Sequence, residues 1–137
     1  MITQEMVNAA FDTLLQTVTG FGDIHVDDGS FYEPNQTTPY VVGKLSAYQR
    51  VAAGFGRDAV VKISGSYTVT IMRPTIEGRQ TAGQMAGQML TILGRGTTVA
   101  LGTNLNVTIS NSSEKPPMVD TDWITVPVVA EFFGSDP

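Results

Sequence analysis

Apolar residues return every three or four positions near the start of the chain: Met6, Val7, Ala10, Phe11, Leu14, Leu15 and Val18. That spacing puts them on one side of a helix. Thr3 is a natural N-cap, Gln4 and Glu5 open the first turn, and Gly20 stands where a left-handed residue would end it. One face of this helix must be buried, most simply against a sheet. From Phe21 to Pro39 the pattern lapses into a long connection, with room for a short strand at Ile24–Val26. Asp27-Asp28-Gly29, Pro34-Asn35 and Thr37-Thr38-Pro39 are turn chemistry and discourage helix. A connection of this length in one domain usually has a job or meets a partner.

A period of two follows. Tyr40 to Val51 is a run of β-formers, and Ala59 to Met72 alternates clearly. Val61, Ile63, Tyr67, Val69 and Ile71 share one face there, while Lys62, Ser64, Ser66, Thr68 and Thr70 share the other. Ala53-Gly54-Phe55-Gly56-Arg57-Asp58 supplies a glycine-rich reversal, so the two strands read as an antiparallel hairpin. Its arms exceed the usual length of about 5–6 residues, which implies a projecting tip. Arg73-Pro74 stops the second arm, since proline cannot extend a ladder.

Thr81 to Leu93 reads as a second helix with Met85, Met89, Ile92 and Leu93 on one side, closed by Gly94 and Gly96. Gly83 and Gly87 each cost about 1 kcal/mol relative to Ala, tolerable where another backbone comes close. Leu105, Val107 and Ile109 alternate with Asn106, Thr108 and Ser110. Later, Ile124, Val126, Val128, Ala130 and Phe132 alternate with Thr125, Pro127, Val129, Glu131 and Phe133. Between them, Asn111 to Thr121 has the prolines and mixed charges of an exposed loop. Pro127 points to an edge position for part of the last strand. The predicted fold is α+β: a mostly antiparallel sheet with two helices packed on one face and a long projecting β-hairpin. No repeat or linker divides residues 1–137, which read as a single domain of ordinary size.

Composition narrows the function. A net charge of −5, with only eight Lys and Arg, argues against general nucleic-acid binding. No apolar run approaches the roughly 18 residues of a membrane span, and no secretory signal is expected from the N-terminus. Without cysteine there is no thiolate nucleophile and no cysteine-bound zinc; a reducing cytoplasm fits this.

Catalytic constellations are thin. His25 is the one histidine, and it has neither a second His or Cys for a transition metal nor a Gly-x-Ser-x-Gly elbow to serve. It reads as a surface or interface residue. Asp27-Asp28-Gly29 and Asp120-Thr121-Asp122 could ligate hard cations, yet turn formation explains both. Gly54-Phe55-Gly56-Arg57 lacks the Gly-Lys-Ser/Thr of a phosphate loop. Gly94-Arg95-Gly96 follows a helix, the wrong polarity for an anion. No catalytic residue, cofactor or metal is therefore predicted. What remains is contact surface: Phe31 and Tyr32, Phe55 at the hairpin tip and the apolar C-terminus put aromatic groups where a lone domain would not need them.

Taken in order, these features resemble the tail-terminator, or tail-completion, proteins of long-tailed bacteriophages. The resemblance spans nearly the whole chain. It rests on the N-terminal helix and an aromatic-Glu-Pro-Asn loop, Phe31 to Asn35, leading into Tyr40. It continues in the strand pair ending Gly65-Ser66-Tyr67-Thr68-Val69-Thr70-Ile71-Met72-Arg73-Pro74. Then come the turn Glu77-Gly78-Arg79, a helix with small residues, and closing strands Leu105–Ile109 and Trp123–Phe133. No single piece is a signature motif; order and lengths carry the match.

The resemblance implies a structural virion protein, assembled in the host cytoplasm, that closes into a homohexameric ring. Such a ring caps the last row of the tail tube, stops its growth and offers the surface that docks onto the head. Its partners would be other copies of itself, the tail tube protein and a head–tail connector or neck protein. Genomic DNA would pass the channel without sequence-specific binding, and no membrane or enzyme activity is implied. Ring contacts are expected from the Tyr48–Asp58 hairpin and the Asp27–Tyr40 loop, with Phe31, Tyr32, Tyr48, Arg50, Phe55 and Arg57 as the candidate interface residues. The alternatives are another neck component, a head-closure or tail-tube-like subunit, and more remotely a small metal-binding domain.

Overall fold

A computed structural model of the chain describes residues 2–26, 38–53, 60–102 and 104–136. Thr3 starts the first helix as expected: its extended backbone lets Oγ1 accept from the Met6 amide at 3.2 Å. Helix α1 runs Gln4–Gln16 and buries Val7, Phe11 and Leu15. It ends without help from Gly20. The Thr17 and Val18 amides turn back to Leu14 and Leu15 in tight closing bonds. Gly20, at φ +88°, instead turns the chain ahead of buried Phe21.

The strands are β1 (Asp23–Val26), β2 (Tyr40–Ala53), β3 (Val60–Pro74), β4 (Thr98–Gly102), β5 (Leu105–Glu114), β6 (Met118–Val119) and β7 (Trp123–Asp136). They form one sheet in the order β1-β2-β3-β7-β5-β4, with β6 added beside β7. Among the described residues only β1, paired with β2, is parallel. The fold is thus α+β with a mostly antiparallel sheet and a long β2–β3 hairpin. The expected alternation holds on β3, where Ile63, Tyr67, Val69 and Ile71 are buried, and on β7, where Ile124, Val126, Val128, Ala130 and Phe132 are.

Three local expectations are corrected and one strand, β4, is added. First, β7 has β3 on one side and β5 and β6 on the other, so the edge expected at Pro127 is confined to the gap between β5 and β6. The Pro127 carbonyl accepts from Lys115. In a strand the N and C=O of one residue point the same way, so the proline's missing donor faces the break between β5 and β6. The β5 ladder stops there, one residue past the Glu114–Val128 pair. Second, β5 runs on to Glu114 through an irregularity between Ile109 and Asn111, and β6 follows, so much of the expected loop is strand. Third, β4 exists although its short Thr-Val-Ala-Leu-Gly run carries little alternation.

Fourth, helix α2 spans Gly78–Ile92, entered through a 3-10 turn at Thr75–Glu77, three residues before the expected start. Its buried stripe is Ala82, Ala86, Met89 and Leu93. Gly83 and Gly87 are exposed, and a Cβ added to either would touch nothing within 4 Å. Alanines, not glycines, admit the helix to the sheet.

Both helices share one core with the inner sheet face. α2 lies on β3, β7 and β5, while α1 touches β4 and β2 and also β1. Strands β1 and β4 are opposite edges, so reaching both requires the sheet to curl around α1 as a half-barrel. Phe11 fills the curl, stacking on Tyr67 at 4.9 Å and tilting against Phe132 at 5.2 Å.

Candidate interaction surfaces

Of the residues expected to make contacts, Phe31, Tyr32, Phe55 and Arg57 lie outside the described residues, as do Asp27, Asp28 and the hairpin tip. Tyr48 and Arg50 are described, and both turn toward their own chain. Register shifts between Leu45 and Ala47, leaving Ser46 as an extra residue on β2. Such a bulge reverses which parity faces inward. Before it Val41 and Gly43 are buried; after it the inward parity passes to Tyr48, half-buried, and Arg50, which remains exposed. Tyr48 packs against the core, and its buried hydroxyl has no hydrogen-bond partner among the described residues. Arg50 donates from Nη1 to the Ile2 carbonyl at 2.5 Å, tying the hairpin to the start of α1.

The outer sheet face is polar. Ser46 is its hub: its Oγ lies 2.8 Å from both Ser66 Oγ and Thr68 Oγ1, and 3.1 Å from the Ser66 carbonyl. A shallow groove of about 440 Å³ runs here between Val42, Lys44, Ser46, Thr68 and Thr70. Hydroxyls that satisfy one another are poor nucleophiles, and no described carboxylate or imidazole lines the groove to activate them.

The other candidate chemistry resolves into local structure. His25 is half-buried on β1, opposite Val42. Asp120 accepts a hydrogen bond from the Thr121 amide, holding the turn between β6 and β7. Among the described residues no three His, Asp or Glu side chains converge as metal ligands would. Arg73 is buried at the end of β3, and it donates to Glu77 from Nε at 2.7 Å and from Nη2 at 3.2 Å. That pair occupies the carboxylate of the residue preceding α2 and fixes the turn into the helix.

Exposed apolar side chains are the feature sequence reading largely missed. Val51 (47%), Val60 (43%) and Phe133 (52%) stand out toward the far end of β2, β3 and β7. Ile76 (95%), Met118 (61%) and Val119 (45%) stand out at the opposite end. Apolar residues in a single turn or a two-residue strand carry no period, so nothing in the pattern singled out Ile76 or Met118.

Comparison with known proteins bears on the fold alone. No family model matches the chain, and no curated protein matches it. One solved structure, of a protein whose name carries no functional description, is similar over 97% of this chain and 96% of its own, at 20% identity and TM-score 0.70.

Proposed function

We propose that this chain is a phage tail terminator: a structural protein that self-associates into a ring, caps the tail tube and presents a head-docking surface. The observation that carries the reading is the exposure of apolar side chains at both ends of a molecule that already has a full core. A soluble chain keeps such residues in contact with water at a cost, unless a partner covers them. The order and lengths of elements that resemble the terminator family add to this, as does the acidic balance, which lets DNA pass without adhering.

The mechanism on this reading is geometric. One face of the ring matches a tube subunit and the other does not, so a further tube layer finds nothing to seat on.

Purified protein added to growing tail tubes should arrest them, and virions lacking it should carry overlong tubes under the electron microscope. Tubes that grow on unaffected would overturn the reading. Normal tubes beside filled heads that leak DNA would point to head closure instead.

A further inference from the structure

We infer that the outer face of the sheet binds a neutral oligosaccharide, stacked on the Phe133 ring and held by the hydroxyls and charges around it. The site is separate from the tube-capping reading above and does not depend on it.

Strand register builds the site. Phe133 on β7 lies opposite Ser64 on β3 and Thr108 on β5, and Gln49 on β2 lies beyond Ser64 in the same row. In the next row Glu131 faces Ser66 on one side and Asn111 on the other. On the opposite flank Ser135 faces Lys62, whose ammonium is 3.3 Å from Ser135 Oγ. Residues two apart along a strand share a face, so these groups stand around one ring on the side away from the core. Phe133 is half exposed although β7 has a strand on each side at this point. Its neighbours in the register are hydroxyls, amides and charges.

A groove of about 480 Å³ runs past the ring, lined by Ala47, Ser64, Ser66, Ser110, Glu131 and Phe133. Pockets that hold small ligands span about 300–1,000 Å³. This groove adjoins the one at Ser46, since Ser66 lines the first and its Oγ lies 2.8 Å from Ser46 Oγ in the second. Together they form a shallow trough from β7 over β3 to β2, the shape that a chain of sugar units requires.

Chemistry names the ligand. The face of an aromatic ring is electron-rich, so it attracts C–H bonds polarised by neighbouring oxygens, as on the flat side of a pyranose. Hydroxyls at the edge of the same sugar then meet both kinds of partner. The Glu131 carboxylate accepts, the Lys62 ammonium donates, and Ser64, Ser66 and Thr108 do either. One acid and one base flanking the ring favour a neutral ligand over an ionic one. An apolar protein surface would cover the ring but leave these polar groups buried without partners, which is costly.

Backbone-amide NMR of the full chain, titrated with tetrasaccharides of glucose, mannose, galactose and N-acetylglucosamine, tests the site. At least one should shift the amides around Phe133, with a dissociation constant on the order of 1 mM, as a shallow site with one ring allows. Phe133→Ala should weaken binding about tenfold or more, and Glu131→Gln about fivefold. Phe133→Trp should keep or tighten it. Both positions are exposed, so far-UV circular dichroism should stay unchanged in each variant. No shift with any of the sugars, or a Phe133→Ala variant that binds as wild type does, would overturn the site. Binding only to a sulfated glycan such as heparin, lost on adding salt, would overturn it in favour of an anion site at the lysines. Shifts around Phe133 that follow protein concentration without sugar would assign the ring to protein contact instead. Tube arrest is read separately, so either proposal can fail while the other stands.

Discussion

Tyr67 is the residue on which the two layers are pinned together. Its hydroxyl donates to Asp12 Oδ1 at 2.5 Å, joining β3 to α1, while its ring stacks on Phe11. Burial above all, then the Asp12 hydrogen bond and charge, holds the phenol well above the ordinary tyrosine range. The folded state therefore keeps the neutral form, whereas an unfolded tyrosine ionises near pH 10. A raised folded-state pKa means the stability from this group is full below about pH 10. It then falls by about 1.4 kcal/mol per pH unit above that. Tyr67→Phe should lose about 1–3 kcal/mol at neutral pH, because a partly buried carboxylate gives up its donor. The variant should also show a shallower decline between about pH 10 and pH 11.5. Urea titrations of both proteins give the two slopes, and equal slopes would refute the pinning role. Gly43 guards the same spot: an added Cβ would fall well inside contact distance of the Tyr67 hydroxyl and Leu15 Cδ2. Gly43→Ala should thus cost about 1–3 kcal/mol through overpacking, readable in the same titration.

At the scale of elements, α2 is less stable than its position allows. Gly83 and Gly87 are exposed in the helix interior, with open space where a Cβ would go. Alanine at each should add about 0.5–1 kcal/mol by restricting the unfolded chain and favouring helix. The pair lie four residues apart with little to share, so their gains should sum in a thermal or urea melt; no gain at either would mean the helix is strained there. The same helix shows where sequence legibility ended. Its existence and its Met89 and Leu93 contacts were readable from spacing, yet the glycines attracted a packing role that Ala82 and Ala86 perform. Strands β3 and β7 were legible because one face of each is covered, which forces strict alternation. Strand β2 was legible as a strand but not in phase: the bulge at Ser46 inserts one residue without disturbing its β-forming composition. That is why Tyr48 packs against the core, while Arg50 stays exposed with its guanidinium bent back to the Ile2 carbonyl. Pro127 was legible only locally. Proline forbids a donor on one side only, and the sequence does not reveal that β5 and β6 leave that side open.

At the scale of the molecule, one core spans every layer, and this sets how it should unfold. Phe11 on α1 touches aromatic rings on both β3 and β7, and α2 packs on β3, β7 and β5. Phe11 thus brings α1 onto two of the strands that α2 covers. Sequence alone predicted the two helices on one face but not the curl, because curvature follows from α1 reaching opposite edges β1 and β4, a relation no local pattern encodes. The single tryptophan offers a reporter far from that helix contact. Trp123 sits at the start of β7, edge-on to Tyr40 at 5.3 Å, so its fluorescence follows the end of the sheet. Far-UV circular dichroism follows helices and strands together. If all layers share the core, the two signals should trace one urea transition with a common midpoint. Loss of dichroism ahead of the Trp123 signal would mean that α1 or α2 detaches from an intact sheet. The half-barrel would then hold without the helix it wraps, and Phe11 would not be what joins the layers.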